Sequence, residues 1–271
     1  MSVHTTVYPT LIDKHMASAS ELAPLAFGGF AHFTAMQIRD WKVKGMDLHL
    51  ARLRGASLAL FQRALPDEEV LATIRLALEQ GPADMSLTMT LFVPDGEFTA
   101  GSKGAAPSML VRTGPPDSGP AGPLRLQSFA HERHLASVKH VGEGAKTYFL
   151  HRALEQGYDD AAFVDRLGRL SEASIWNLVF WDGHAVVWPE AELLSGTTMR
   201  IVQRQLERLG IPQRRQELKP GDLAAFAGAA VMNSWTPGVP VTAIGKHDLP
   251  VAEALMRALG EAWQAEPYAN P

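Results

Sequence analysis

Hydrophobic positions in the first part of the chain predict two helices and a strand. Residues 47–63 carry apolar side chains at helical spacing behind Asp47, the expected N-cap. That helix would bury one face: Leu50, Leu53, Ser57, Leu60 and Phe61. Residues 67–80 predict a second helix with Val70, Ile74 and Ala77 inward, and the alternation over residues 86–93 predicts a strand. This part is therefore expected to form a small α+β domain.

The second part of the chain carries denser signals. An Asp182-Gly183 pair between apolar residues 177–181 and 184–188 predicts a tight hairpin, because Asp-Gly suits positive backbone angles. The other predicted elements are a helix at 147–156 ended by Gly157, a strand at 161–164, a helix at 197–209 after Gly196, a strand at 229–232 and a mostly helical stretch at 248–265.

A proline- and glycine-rich stretch separates the two parts. Residues 113–123 read TGPPDSGPAGP, a composition that resists both helix and strand. We therefore divide the chain into a small N-terminal domain (residues 1–114), a linker (115–123) and a larger C-terminal domain (124–271). The chain shows no internal repeat, which argues against a solenoid.

Composition narrows the class of protein. Hydrophobic residues make up 46% and charged residues 20% of the chain, as in a globular protein with a core. The net charge of -4 gives no basic surface for a nucleic acid. With no cysteine, the chain cannot use disulfides, thiolate metal sites or thiol catalysis. A polar start without a secretory signal, and no apolar run near the ~20 residues of a membrane span, predict a cytoplasmic protein.

Two residues could carry covalent or acid–base chemistry. Lys139 follows Ser137-Val138 in a segment with β character, and a lysine among apolar neighbours loses its proton more easily, as imine formation requires. Glu172 follows a turn and precedes a strand, where it could pair with a protonated ring nitrogen. The alternative for each is an exposed surface residue.

Three further residues could bind phosphate. Thr197 and Thr198 open a predicted helix, whose free N–H groups and dipole attract anions, and Arg52 could form forked hydrogen bonds to phosphate. A threonine-capped helix and a surface arginine are the simpler alternatives. His49 has no second histidine at metal spacing, so we predict no metal site.

In order along the chain, these segments resemble the class IV, or fold type IV, pyridoxal-phosphate enzymes. That family has an H-x-x-R-L motif, matched by His49, Arg52 and Leu53, and a lysine in a segment like SVKHV, matched by Lys139. Its further motifs resemble residues 153–161, 165–172, 177–180, the Asp182-Gly183 turn, Pro189 and residues 194–198. The resemblance covers roughly residues 30–245. The family includes branched-chain and D-amino-acid aminotransferases and 4-amino-4-deoxychorismate lyases.

The resemblance implies a role for each matching residue. Lys139 would form an aldimine with pyridoxal 5′-phosphate and later move the substrate proton, and Glu172 would keep the pyridine nitrogen protonated. Four residues would hold the phosphate: Arg52, Thr197, Thr198 and Ser234. Two departures from the family pattern, Phe33 in a loosely matching strand and the bulky Trp176, are expected to line the substrate pocket.

The resemblance also implies an α+β fold of two domains, with a small N-terminal α/β domain and a larger C-terminal mixed-sheet or pseudo-barrel domain. The expected activity is amino-group transfer between an amino acid or amine and a 2-oxo acid. The enzyme is expected to be a homodimer, and each chain is expected to hold the cofactor between its two domains.

Three other functions remain open from the sequence. A lyase releasing pyruvate from aminodeoxychorismate would use the same lysine. A catalytically silent member would bind only the cofactor or a partner. A nucleotide triphosphatase is suggested by residues 142–147, which resemble the end of a phosphate loop, but Ala145 and His140 stand where that loop needs glycine.

Overall fold

The computed structural model describes residues 6–94, 98 and 103–271. The chain divides into two compact units. The first contains the described residues up to Asp117 together with Val138–Gly142 and Tyr268–Pro271, and the second contains Ser118–Ser137 and Glu143–Pro267. The boundary at Asp117 lies inside the predicted linker, and two later segments return to the first unit.

The first unit is an antiparallel sheet packed with two helices. Its elements are β1 (Thr10–Ile12), β2 (His15–Met16), α1 (Ala19–Leu22), a 3-10 helix (Ala23–Ala26), β3 (His32–Ile38), β4 (Val43–Lys44), α2 (Met46–Phe61), α3 (Asp67–Gln80), β5 (Met85–Phe92) and β6 (Ser108–Gly114). The sheet order is β2-β1-β6-β5-β3. Alternate residues of β5 are buried against α2 and α3, as the period-two pattern predicts.

The two predicted helices of this unit are present. α3 spans the predicted residues, and Val70, Ile74 and Ala77 are buried as expected. The expected cap of α2 is wrong: Gly45, at a φ of 68°, precedes the helix, and Asp47 lies in its first turn. Glycine adopts this left-handed conformation without a Cβ clash, so it can begin the helix without a side-chain cap. Leu50 and Leu60 are only partly buried on the inward face.

The second unit is rich in strands. Its elements are β7 (Leu124–Ala130), α4 (Gly144–Glu155), β8 (Asp160–Val164), β9 (Leu170–Ala173), β10 (Asn177–Trp181), β11 (Val186–Pro189), α5 (Thr197–Arg208), β12 (Gln213–Gln216), a 3-10 helix (Pro220–Ala225), β13 (Gly228–Met232), β14 (Val239–Ile244), β15 (His247–Asp248) and α6 (Glu253–Ala265). The last strand, β16 (Tyr268–Ala269), belongs to the first unit and pairs with β4.

Six strands of the second unit close into a barrel. The order β10-β13-β14-β7-β8-β9 returns to its start because β9 also pairs with β10, at Asn177 and Glu172. Successive residues of β10 point to opposite faces: Leu178 and Phe180 join one core cluster, and Val179 joins a second cluster with α5 and α6. The α+β fold with a pseudo-barrel domain is therefore confirmed.

Several element boundaries differ from the sequence prediction. α4 begins at Gly144 rather than at 147, and α6 begins only at Glu253 because residues 247–248 form β15. The predicted hairpin is present as β10 and β11, but its two-residue turn is wrong, since Trp181 pairs with Val186 across a four-residue loop. Within that loop, Asp182 Oδ1 accepts hydrogen bonds from the backbone N–H groups of His184, at 2.8 Å, and Ala185, at 2.7 Å. This carboxylate bonding favours the wider turn.

No helix in the described ranges is long and apolar enough to span a membrane.

Two buried histidines make the first unit sensitive to acid. His49 Nδ1 lies 2.6 Å from Thr34 Oγ1, and His32 Nε2 lies 2.8 Å from Ser57 Oγ. Burial lowers the pKa of His49 to about 3, with the charge of Arg52 acting in the same direction, and lowers the pKa of His32 to about 4. Both rings are therefore neutral in the folded protein at neutral pH.

We expect the free energy of unfolding to fall as the pH is lowered from about 6.5 towards 4. The unfolded chain takes up the protons first, so each folded-state pKa that is depressed costs stability as the pH falls. At pH 5 the cost is about 2 kcal/mol for each histidine. Urea unfolding at pH 7.5 and 5 measures it, and His49→Gln should flatten the dependence while His184→Gln, in the exposed loop, should not. An unchanged pH dependence in His49→Gln would contradict this account.

Candidate active site

A buried group of charged side chains surrounds Glu172 at the closing seam of the barrel. Lys146 Nζ donates to Glu172 Oε1 at 2.7 Å, and Arg133 Nη1 lies 3.7 Å from the same oxygen. The other oxygen, Oε2, accepts a longer 3.4 Å bond from the backbone N–H of Leu194. Only 5% of the Glu172 side chain is exposed, so this carboxylate interacts with its neighbours in a medium of low polarity.

The charges of this group balance. Arg133 Nε lies 3.1 Å from Glu143 Oε1, so two cations face two carboxylates. Buried ions require such pairing, because removing a lone charge from water is costly. Burial lowers the pKa of Lys146, the positive charge of Arg133 lowers it further, and Glu172 opposes the shift.

A candidate anion site lies at the N-terminus of α5. Thr197 and Thr198 are both buried, and Thr198 Oγ1 donates to the carbonyl of Asn233 at 2.8 Å. Thr197 Oγ1 is buried and, within the part of the chain that the structure describes, has no hydrogen-bond partner. A buried hydroxyl without a partner costs stability, and it lies beside the free N–H groups of a 12-residue helix. This combination suits a phosphate or carboxylate group.

Ser234 lies next to this helix start. It follows Asn233, the residue whose carbonyl accepts the Thr198 hydroxyl, in the loop after β13. The structure therefore brings together the three hydroxyl residues predicted from the second domain, Thr197, Thr198 and Ser234.

Asn177 joins the anion site to the Glu172 carboxylate. It lies opposite Glu172 in the barrel pairing, and its Nδ2 donates to the carbonyl of Leu194 at 2.7 Å. A Cβ added to Gly196, the residue before α5, would collide with Asn177 Oδ1. Glycine is required at this position by the close approach of the asparagine.

We expect Gly196→Ala to destabilise the protein by about 1–3 kcal/mol, because the added methyl group forces Asn177 and the start of α5 apart. Gly55→Ala is the matched control: it lies inside α2 with nothing within 4 Å of an added Cβ. That change should stabilise by about 0.5–1 kcal/mol. Urea unfolding measures both, and equal stability of the two variants would show that the contact with Asn177 is not restrictive.

Lys139 lies in the first unit. Its segment is extended beside β3, with the Phe33 N–H donating to the Lys139 carbonyl at 2.8 Å and the Val141 N–H to the Ala31 carbonyl at 2.9 Å. The β character expected of this segment is confirmed. Lys139 Nζ lies 4.7 Å from the centre of the Phe33 ring, a cation–π distance.

The predicted site residues are divided between the two units. Lys139, Phe33 and Arg52 belong to the first, where Arg52 is half-buried on α2, and the remaining ones belong to the second. Trp176 is buried in the barrel core and donates through Nε1 to Asp160 Oδ2 at 2.7 Å. A pocket role for Phe33 and for Trp176 stays a prediction.

Sequence reasoning missed most of the neighbours of Glu172. Arg133, Glu143 and Asn177 carry no motif strong enough to be chosen from the sequence alone. The sequence indicates for Lys146 only the place of a phosphate-loop lysine, but its amine is buried against Glu172. Among the described residues, no group of three or more potential ligands is placed to hold a metal ion.

Known proteins share the family signature and the fold of this chain. The model of the amino-transferase class IV family matches residues 31–244. The structure is similar to the branched-chain amino acid aminotransferase from Escherichia coli, with a TM-score of 0.81 and 15% identity over 96% of this chain and 94% of that chain.

Two further solved structures share the fold. One is a branched-chain aminotransferase from Thermoproteus uzoniensis, with a TM-score of 0.80 and 18% identity over 94% of this chain and 93% of that chain. The other is a putative 4-amino-4-deoxychorismate lyase from Legionella pneumophila, with a TM-score of 0.78 and 17% identity over 91% and 94%. No curated protein sequence matches the chain. Since the family model spans most of the residues, the protein belongs to the class IV aminotransferase family.

Proposed function

We propose that the protein is a pyridoxal-phosphate-dependent aminotransferase that moves an amino group between an amino acid or amine and a 2-oxo acid, with Lys139 as the attachment point of the cofactor. One observation carries the proposal. The second unit joins a buried carboxylate, Glu172, through Asn177 and Leu194 to an anion site that contains an unpartnered buried hydroxyl, Thr197. A cofactor with a basic ring nitrogen and a phosphate matches both.

Four residues would hold the phosphate. Thr197 would donate its unpartnered hydroxyl, Thr198 its backbone N–H, since its own hydroxyl donates to Asn233, and Ser234 its hydroxyl. Arg52 would contribute a charge-assisted bond, which is stronger than a neutral one. Because several groups share the phosphate, loss of any one of them should weaken binding without abolishing it.

Glu172 would bind the ring nitrogen and favour its protonated form. When bound, pyridoxal phosphate supplies an electron-withdrawing ring that accepts the electron pair released at the substrate α-carbon. Burial of Glu172 strengthens this interaction because water does not screen the carboxylate. Lys139 Nζ would accept the proton from the substrate α-carbon and then donate it to a different carbon, acting first as a general base and then as a general acid.

Family membership also supports two coarser proposals. We propose a homodimer that works in the cytoplasm: the resemblance to the class IV enzymes implies the dimer, and the lack of cysteine fits a reducing compartment. Light scattering of the purified protein tests the dimer.

The first test is the absorbance spectrum of the purified protein with and without pyridoxal phosphate. A visible band should appear when the cofactor attaches. Reduction with borohydride then fixes the cofactor to its lysine, since hydride adds to the carbon–nitrogen double bond, and peptide mass mapping should find the added mass on Lys139. A colourless protein, or a label on Lys146 instead, would contradict the assignment.

A lyase is the second candidate, favoured by the similarity to the putative aminodeoxychorismate lyase of Legionella. The two reactions differ in their need for an acceptor. Aminodeoxychorismate incubated without a 2-oxo acid should give no pyruvate if the protein is an aminotransferase, whereas an amino donor should turn over only when a 2-oxo acid is supplied. Pyruvate released without an acceptor would favour the lyase.

A further inference from the structure

Lys146 has no role in the proposed reaction, although its amine donates directly to Glu172. Its Nζ lies 2.7 Å from Oε1, and 8% of its side chain is exposed. It comes from α4, whereas Glu172 lies on β9, so two different elements are held in place to form this pair. A lysine seldom stays buried unless an anion pairs with it.

Glu172 faces more positive charge than it can neutralise alone. Lys146 and Arg133 both approach Oε1, and Glu143 offsets the charge of Arg133 from 3.1 Å. Lys146 therefore remains the cation that depends on Glu172. In a buried setting two cations that share one carboxylate repel each other strongly.

We propose that Lys146 is a positioning residue that competes with the cofactor ring nitrogen for Glu172. It binds Oε1, which leaves Oε2, with its long bond from the Leu194 N–H, as the oxygen for the ring. Its charge then weakens the attraction between Glu172 and a protonated ring nitrogen. The inference rests on the proposed function, because Glu172 must bind that nitrogen.

Lys146 thereby limits how tightly Glu172 holds the cofactor. Without its charge, Arg133 and the Leu194 N–H still orient the carboxylate, so the negative charge becomes more available to the ring. The Lys146 charge therefore lowers the affinity for the cofactor, while it stabilises the buried Glu172 carboxylate as an ion pair. The competition is specific to the ring nitrogen and should leave the phosphate site unaffected.

The test compares pyridoxal phosphate with its 1-deaza analogue, in which carbon replaces the ring nitrogen. The ratio of their dissociation constants, from equilibrium dialysis, isolates the contribution of the nitrogen. In Lys146→Met, which keeps the length of the side chain without its charge, preference for pyridoxal phosphate over the analogue should rise about tenfold. Lys146→Gln should raise it similarly and serves if the methionine variant does not fold.

Two controls separate charge from packing. Lys146→Arg keeps the cation and should keep the wild-type ratio. Lys42→Met removes an exposed lysine that pairs with Asp40 and should also leave the ratio unchanged.

The results separate this inference from the proposed function. An unchanged or lower ratio in both neutral variants, or an equal rise in Lys146→Arg, overturns the competition. Equal binding of both compounds by the wild type overturns it too, because Glu172 then does not bind the nitrogen. A wild-type protein that binds neither compound rejects the proposed function itself.

Discussion

Lys139→Ala is expected to lower the rate of amino-group transfer by about 10⁴-fold or more, because the proposed function makes Lys139 both the attachment point and the base. Steady-state assay with an amino donor and a 2-oxo acid measures the loss. Lys42→Ala, which changes an exposed lysine paired with Asp40, should retain the wild-type rate. Lys146→Ala should not abolish turnover, since its amine pairs with Glu172 and takes no part in the proposed reaction.

Chemical rescue sharpens this prediction. A small primary amine added to Lys139→Ala should restore part of the rate, because it can enter the space left by the side chain and accept the substrate proton. Wild-type turnover in Lys139→Ala would show that Lys139 is not the catalytic lysine. If Lys146→Ala also lost all activity, the chemistry would belong to Lys146 instead.

Glu172→Gln is expected to lower kcat/KM by about 10²–10³-fold, because a neutral amide cannot stabilise a protonated ring nitrogen. It should also lower the free energy of unfolding by about 3 kcal/mol, since Lys146 loses its buried counter-ion. Assays and urea unfolding measure the two effects. Glu261→Gln, on the exposed face of α6, is the control and should change neither.

A double variant tests the stability effect. Adding Lys146→Met to Glu172→Gln removes the second charge of the pair, so part of the lost stability should return while the activity does not. If Glu172→Gln is as stable as the wild type, the ion pair between Lys146 and Glu172 does not contribute to the stability of the folded protein.

Local signals predicted much of the fold. α3 and α5 could be read from the spacing of apolar residues, and Gly196 marked the start of α5. The four-residue loop at Asp182 could not be predicted. The Asp182 carboxylate accepts hydrogen bonds from two backbone N–H groups, and the residue types alone do not reveal that this bonding widens the turn. Short-range pattern therefore predicted which elements exist better than how they end.

The candidate site was predictable where a motif marks it. Glu172, Thr197 and Thr198 were chosen from their order along the chain, and the structure places all three in one unit. The partners of Glu172 were not predictable, because Lys146 reaches it only after α4 packs on the barrel and β9 pairs with β10. Contacts of this kind depend on closure of the whole sheet.

The first unit is assembled from three separate lengths of chain, and this has a consequence for how the protein is made. Ala269 pairs with Val43, and Arg75 Nε donates to Pro271 O at 2.9 Å, so the unit uses residues that a ribosome adds more than 150 positions after Asp117. The length that carries Lys139 also joins only after the boundary has been passed. During synthesis the barrel can therefore be finished before the unit that begins first, and a fragment ending at Asp117 would lack both a β-partner for Val43 and Lys139.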